Sequence, residues 1–385
     1  MTSRAYLDWN ATTPLRPQAL QAMTAAFAQT GNPSSVHAEG RAARAIVETA
    51  RRAVARAVGA QPGGVIFTSG GTEANTLALT PTQSAGGVPL RRLLVSAIEH
   101  PSVLAGGRFD AGDVAVIAVT PGGVVDRDNL RAKLAAGPAL VSVMAANNET
   151  GAIQPIAEIA EMVHAAGGLL HVDAVQALGK IPLDISALGA DMLSLSAHKV
   201  GGPVGVGALV LKAGVAAPAS VLRGGGQEQG RRAGTENHPA IAGFCAAVDA
   251  AVSDLEATAG RVAGLRARLE HGLRESGGII FCGTQPRLPN TTLATAPGMR
   301  AETAVIAFDL AGIAVSSGSA CSSGKVQPSH VLSAMQVAPG LARGAIRISL
   351  GPGTTEDEID NCLETWRKLT DTLRKACDET ELERF

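Results

Sequence analysis

Between residues 41 and 58 the chain reads RAARAIVETARRAVARAV, which sets Ile46, Ala50, Val54 and Val58 four apart and arginines on the other faces. That spacing follows the repeat of about 3.6 residues per turn and predicts an amphipathic helix. From Val65 onward the pattern changes. VIFTS, LLVSA, VAVIAV, ALVSVMA, LLHVDA and MLSLS are apolar almost throughout, and helical stretches such as PIAEIAEMVHAAG separate them. Strands apolar on both faces, alternating with helices, predict a mostly parallel sheet covered on each side. GVGALVLK (205–212) follows MLSLS too closely for a helical crossover, so it is expected to run antiparallel beside it. Residues 239–276 predict a long helix, broken or bent near Gly260 and Gly264. Further on, TTLATA and AIRISL read as strands, and AETAVIAFDLAG and EDEIDNCLETWRKLTDTLRKA as helices, the last opened by a Thr355/Glu358 capping box.

The expected architecture is therefore α/β: a large domain over residues 16–260 and a small α+β domain over 261–385, completed by an N-terminal segment, 1–15. Composition narrows the function. With 33 Lys and Arg against 34 Asp and Glu, and no basic stripe, neither nucleic acid nor an anionic membrane is expected as partner. No apolar run reaches the roughly 18 residues of a membrane span. MTSRAYLDWNATTPLRP has neither a charged n-region nor an apolar h-region, so a cytoplasmic location is expected. The five cysteines show no CxxC spacing, which argues against a disulfide framework or a zinc site.

Three segments carry chemistry. In VIFTSGGTEANTLAL a strand gives way to Gly70, Gly71 and a helix start, where free amides favour a phosphate. In LLHVDAVQALGK, Asp173 closes an apolar strand, at the end where open α/β sheets bind ligands. In MLSLSAHKVGGPVGVGAL, Lys199 follows another strand in a glycine-rich setting, as an amine nucleophile would. Each has a plainer account: an ordinary strand-to-helix turn, a helix cap, a solvated lysine. Together they match what pyridoxal phosphate needs, namely an anion cradle, a carboxylate for the pyridinium nitrogen and a lysine for the Schiff base.

At this point the chain resembles a known family. GNPSSVHAEG, TSGGTEAN, EHPSV, NNETG, HVDAVQ, SAHKVGGPVGVG, GGGQEQGRRAGTEN and SSGSACSSGKVQPSHVL follow one another as in the aminotransferase class-V enzymes of fold type I. Within them they follow the group I cysteine desulfurases of the NifS/IscS kind. The resemblance implies an aspartate aminotransferase-like large domain with a seven-stranded sheet and pyridoxal 5'-phosphate as cofactor. It implies that Lys199 carries the cofactor, that Asp173 pairs with its ring nitrogen, and that His100 stacks on the ring and shuttles protons. Asn148 and Gln176 would hydrogen-bond the phenolic oxygen and the substrate region. Gly71, Thr72, Ser196 and His198 would hold the phosphate, with Thr235 reaching the phosphate of the other subunit of a homodimer. Arg347 would clamp the carboxylate of L-cysteine.

The same resemblance makes Cys321 the nucleophile, carried on the mobile loop 316–330 and passing a persulfide to an iron–sulfur scaffold or another sulfur acceptor. Cys321 is also the one residue expected to touch a metal, through that persulfide, in a complex with a scaffold. The loop departs mildly from the family: Gln327 stands where an acidic residue is usual and Lys325 is added, which bears on the acceptor and leaves the chemistry intact. Its full length distinguishes it from the SufS-like group. Cys245, Cys282, Cys362 and Cys377, and His37, His164, His171, His238, His271 and His330, are expected to be structural. The rival readings are a selenocysteine lyase or other class-V enzyme, and a non-catalytic subunit binding a sulfur-transfer partner. The second predicts loss of Lys199 or Cys321, and both are present.

Overall fold

The computed structural model describes residues 4–83, 86–318 and 329–382, with side chains to residue 374 apart from Gln83. The chain opens with strand β1 (Ala5–Tyr6) and helices α1 (Pro17–Phe27) and α2 (Ala38–Ala57). Strand β2 (Val65–Thr68) and helix α3 (Gly71–Ala78) follow, then a ribbon of β3 (Thr82–Gln83) with β4 (Pro89–Leu90). Next come β5 (Leu93–Ser96), α4 (Pro101–Leu104), β6 (Val114–Ile117), α5 (Arg127–Leu134), β7 (Leu140–Met144), α6 (Ile156–Ala165), β8 (Leu169–Asp173), β9 (Met192–Ser196) and β10 (Gly207–Leu211). Seven of these strands form one sheet in the order β2-β10-β9-β8-β7-β5-β6, parallel except for β10, which runs antiparallel to both β2 and β9.

Burial explains why these strands are apolar almost throughout. Phe67, Val141, Val143, Leu170, Val172, Leu193 and Leu195 enter one core, with Val47, Ala50 and Val54 of α2. Their alternate neighbours Ile66, Leu140, Leu169 and Met192 enter another, with Leu77 of α3. Successive side chains point to opposite faces, and both faces are covered, so the few polar residues are buried and paired: His171 lies between Ser142 Oγ (2.8 Å) and Ser194 Oγ (2.9 Å).

After the sheet come α7 (His238–Ser253) and α8 (Leu255–Glu275), then β11 (Ile279–Ile280), β12 (Thr291–Thr295), α9 (Ala301–Leu310), β13 (Ile313–Ala314), β14 (Ser316–Ser317), α10 (His330–Ala334), α11 (Pro339–Ala342), β15 (Ile346–Ser349) and α12 (Glu356–Leu382). A four-stranded sheet, β11-β12-β15-β14, carries a separate core in which Leu265, Leu269, Ile346, Ile348 and Trp366 meet Ala5 and Leu7 of the N-terminal segment. β1 pairs in parallel with β13. The capping box of α12 forms reciprocally: the Thr355 amide donates to Glu358 Oε2 (2.9 Å) and the Glu358 amide to Thr355 Oγ1 (3.3 Å).

Two expectations are corrected. The long helix over 239–276 is two helices, and the break falls at Asp254. Gly260 and Gly264 lie inside α8, where each costs about 1 kcal/mol relative to alanine, and buried Val262, Leu265, Leu269 and Leu273 hold the helix across them. The arginines of α2 do not all face outward. Arg51 is buried, and donates from both Nη atoms to Glu228 (2.8 Å each) and from Nη1 to Val65 O (2.7 Å). Glu228 also accepts from the Phe67 amide (3.0 Å), so the pair fastens the GGGQEQG turn to β2. Among the described residues no helix is long and apolar enough to cross a membrane.

Candidate functional site

Because β2, β5, β7, β8 and β9 run the same way, the segments after them open at one edge of the sheet, and each carries an expected site residue. After β2, Gly70 has φ +156°, a conformation only glycine adopts freely. A Cβ on Gly207 of β10 would stand 2.7 Å from the Gly70 carbonyl carbon, so that turn is pressed against the sheet. Gly70 leaves the start of α3 without a side-chain cap, and the first amides of a helix have no partner within it. Ser196 and Val175 close on the same spot: a Cβ on Gly71 would lie 3.5 Å from Ser196 Cβ and 3.0 Å from Val175 Cγ2. Exposed Thr72 and half-buried His198 stand alongside. His198 Nδ1 lies 3.2 Å from Thr12 Oγ1, and its pKa is pushed down to about 4 by burial, then by Lys199 and Lys180. A neutral His198 beside an open helix start is a hydrogen-bond donor set for an anion.

Asp173 closes β8 and is buried. Its Oδ2 accepts from Asn75 Nδ2 (2.8 Å) and its Oδ1 from the Val175 amide (3.0 Å). Burial raises its pKa, against those two bonds and the charges of His100 and Lys199. The carboxylate is therefore short of a cation. His100 follows β5 and opens to the cleft, yet its surroundings desolvate it enough to lower its pKa; Asp173 acts the other way, and Lys199 and His330 reinforce the lowering. The Ser102 amide donates to its Nδ1 (3.2 Å), which leaves the ring proton of neutral His100 on Nε2.

Lys199, half-buried after β9, donates from Nζ to the carbonyls of Asn10 and Ala11 (2.7 Å each). Asn10 is the hub of this corner. Its carbonyl also accepts from Gln176 Nε2 (3.0 Å), and its side chain reaches Lys180, Asn290 and Thr291. Gln176, expected at the cofactor, thus spends its amide on Asn10 and on Lys180 Nζ (2.6 Å). The Lys180 ammonium is held well below the ordinary lysine range by burial, then by Lys199 and Arg347.

Arg347 sits on β15, which is flanked by β12 and β14, and is 1 % exposed. Nη2 donates to Asp8 Oδ1 (2.8 Å) and Nη1 to the Asn148 carbonyl (3.0 Å), while Nε is buried with no partner among the described residues. It is the backbone of Asn148 that makes this contact. Cys321 lies outside the described residues, but both roots of its loop are placed. The Gly318 amide donates to Ala345 O (2.8 Å), Ser329 Oγ donates to Glu149 Oε2 (2.5 Å), and His330 Nε2 lies 2.9 Å from Glu99 O. Thr235 is exposed, on the turn that Arg232 ties to Glu73 of α3 (2.9 Å). Cys245 and Cys362 are inert thiols, pushed up to about 11 and about 12, in each case by burial first.

Sequence reasoning passed over Asp8, Asn10, Asn75, Lys180, Glu99 and Glu149. Glu99 and Glu149 sit inside motifs quoted above, with nothing to signal their burial. Burial raises the Glu99 carboxyl to about 8 and the Glu149 carboxyl to about 7. Between about 4.5 and 8 the folded chain binds a proton at Glu99 that the unfolded chain releases, so this contribution to stability is full at low pH and is lost as pH rises through 8. Buried His171, lowered to about 3, acts oppositely, its contribution being lost as pH falls below its ordinary value. Glu99→Gln keeps the shape of the neutral acid. It is expected to shrink the fall in Tm between pH 5 and pH 8 by on the order of 2 °C; an unchanged pH difference in thermal melts would mean that Glu99 is already ionised.

The sequence was compared with known proteins. The family model "Aminotransferase class-V" matches residues 5–362. A cysteine desulfurase of Cereibacter sphaeroides is 46% identical over 380 residues, covering 96% of this chain and 97% of that protein. Cysteine desulfurase IscS of Dictyoglomus turgidum is 38% identical, covering 97% and 96%. The solved structure of a NifS-like protein from Rickettsia africae superposes with a TM-score of 0.87 at 36% identity, covering 96% of this chain and 99% of that one.

Proposed function

The chain belongs to the aminotransferase class-V family, and from that premise we propose its function: a pyridoxal-phosphate-dependent cysteine desulfurase, turning L-cysteine into L-alanine and passing on the sulfur as a persulfide on Cys321. It is an enzyme of fold type I, and its cofactor is pyridoxal 5'-phosphate. Enzymes of this kind act on L-cysteine and are typically dimeric. We place the division of the chain at 1–15, 16–260 and 261–385, supported by the separate core that Ala5 and Leu7 share with Leu265 and Trp366.

The described residues fit the cofactor. Asp173 is a buried carboxylate short of a cation, which a protonated ring nitrogen supplies. The uncapped start of α3, with Thr72, Ser196 and His198, suits its phosphate, and Thr235 of a second subunit completes that set. When bound, pyridoxal phosphate supplies an electron sink that weakens the bonds at Cα and Cβ of the amino acid.

The chain's residues do the rest. Arg347 binds the substrate carboxylate, and the observation that carries this is its buried Nε, a donor left without a partner among the described residues. Asn148 fixes the guanidinium plane from behind through its carbonyl. Lys199 Nζ takes the Cα proton. His100 presents Nε2–H on the side away from Ser102 and serves there as a proton donor. The Cys321 thiolate attacks the substrate sulfur: an S–S bond forms as the C–S bond breaks, the electron pair stays with carbon, and protonation there gives alanine. A thiol or scaffold acceptor then takes the outer sulfur, with iron–sulfur assembly the readiest use. The test is alanine formation from L-cysteine by cofactor-loaded protein with a thiol reductant. Stoichiometric alanine and sulfide are expected; cofactor-loaded protein that makes neither from L-cysteine overturns the proposal.

A further inference from the structure

The N-terminal segment does more than pack. β1 continues beyond Tyr6, so that Asp8 bridges Ser349 of β15 in parallel, and its side chain, 17 % exposed, turns toward the site. Its two oxygens have different partners. Oδ1 accepts from Arg347 Nη2 at 2.8 Å, and Oδ2 accepts from Ser316 Oγ at 2.8 Å. Ser316 pairs with Arg347 across β14 and β15, and two residues later Gly318 is the last described residue before the segment that holds Cys321. One carboxylate thus touches both the candidate substrate clamp and the root of the sulfur-accepting loop. Asp8 Oδ1 and the Asn148 carbonyl each take one Nη donor of the guanidinium, and its buried Nε–H is left without a partner among the described residues.

We propose that Asp8 is a positioning residue: it orients Arg347 for the substrate carboxylate and, through Ser316, ties that site to the loop of Cys321. The inference rests on the reading of Arg347 given above. A substrate carboxylate arriving at Arg347 shares the guanidinium with Asp8 Oδ1, while Asp8 Oδ2 keeps its contact with Ser316. Charge-assisted hydrogen bonds of this kind hold geometry as well as energy.

The experiment uses the cofactor-loaded enzyme and follows L-alanine binding by the cofactor's absorbance, together with KM for L-cysteine and the rate of persulfide appearance on Cys321 by mass. Asparagine at position 8 can still accept from Arg347 through Oδ1 while its amide donates to the Ser316 hydroxyl. Alanine makes neither bond. Asp8→Ala is therefore expected to weaken L-alanine binding and raise KM by roughly tenfold, the size of one lost charge-assisted bond, and Asp8→Asn to stay within about threefold of wild type. Ser316→Ala should leave L-alanine binding unchanged and slow persulfide formation severalfold. The positioning role is overturned if Asp8→Ala binds L-alanine as wild type, or if Asp8→Asn is as weak as Asp8→Ala. An unchanged persulfide rate in Ser316→Ala overturns the tie to the loop. Arg347→Gln separates the two levels: if it binds L-alanine normally the clamp reading itself fails, whatever Asp8 does.

Discussion

Cys321→Ala is expected to abolish formation of alanine from L-cysteine, by at least about 10³-fold, with the cofactor still bound. The expectation does not depend on the path of the loop. Cys321 follows Gly318 by three residues, and a chain extends by at most about 3.3–3.6 Å per residue, so connectivity alone keeps its Cα within about 11 Å of that anchor. The Gly318 amide donates to the carbonyl of Ala345, which immediately precedes β15 and stands two residues before Arg347. A nucleophile tethered there can reach a substrate whose carboxylate is held by Arg347. Nothing else described can take its place, since Cys245 and Cys362 are raised far from the thiolate form and Cys282 is raised as well, in each case chiefly by burial. Equal alanine from wild type and variant would make the enzyme a lyase that works without a persulfide. No alanine from either, with cofactor bound, would point to a different substrate.

Much of this was legible in the chain because the signals are local. Six of the seven strands of the large sheet, all but the edge strand β6, are runs of four or five residues buried at every position, and the antiparallel β10 is betrayed by the short connection from β9. Asp173, Ser196 and Lys199 could be placed because each directly ends or follows such a run. What escaped was long-range. Asp8 meets Arg347 across 339 positions and Asn10 meets Thr291 across 281, and no periodicity reports such contacts. Arg51 looked like one more surface arginine of α2; only the folded chain brings Glu228, 177 positions away, to pair with it. Gly260 and Gly264 misled in the other direction, because helix propensity is a weak local preference and packing against the second core overrode it.

Lys199→Ala carries the other large effect: loss of the covalently held cofactor and of alanine formation by at least about 10³-fold. A second amine lies close by, and rescue by Lys180 is the obvious objection. Geometry argues against it. Lys180 Nζ is already engaged by Asn10 Oδ1 (3.0 Å) and Gln176 Oε1 (2.6 Å), whereas Lys199 Nζ contacts the Asn10 carbonyl. Releasing it would strand Gln176 Oε1, since only Asn10 Oδ1 keeps another donor, Asn290 Nδ2 (3.0 Å), and a buried acceptor left unpaired costs about 1–3 kcal/mol. Borohydride reduces a Schiff base to a stable amine, so treatment of the cofactor-loaded protein followed by peptide mapping reads the attachment point directly. Wild type is expected to carry the cofactor mass on Lys199 alone, and Lys199→Ala to carry none. Cofactor fixed to Lys180 in the variant would show that this corner yields more easily than its hydrogen bonds imply, and would make the pair of lysines, rather than Lys199 alone, the unit that holds the cofactor.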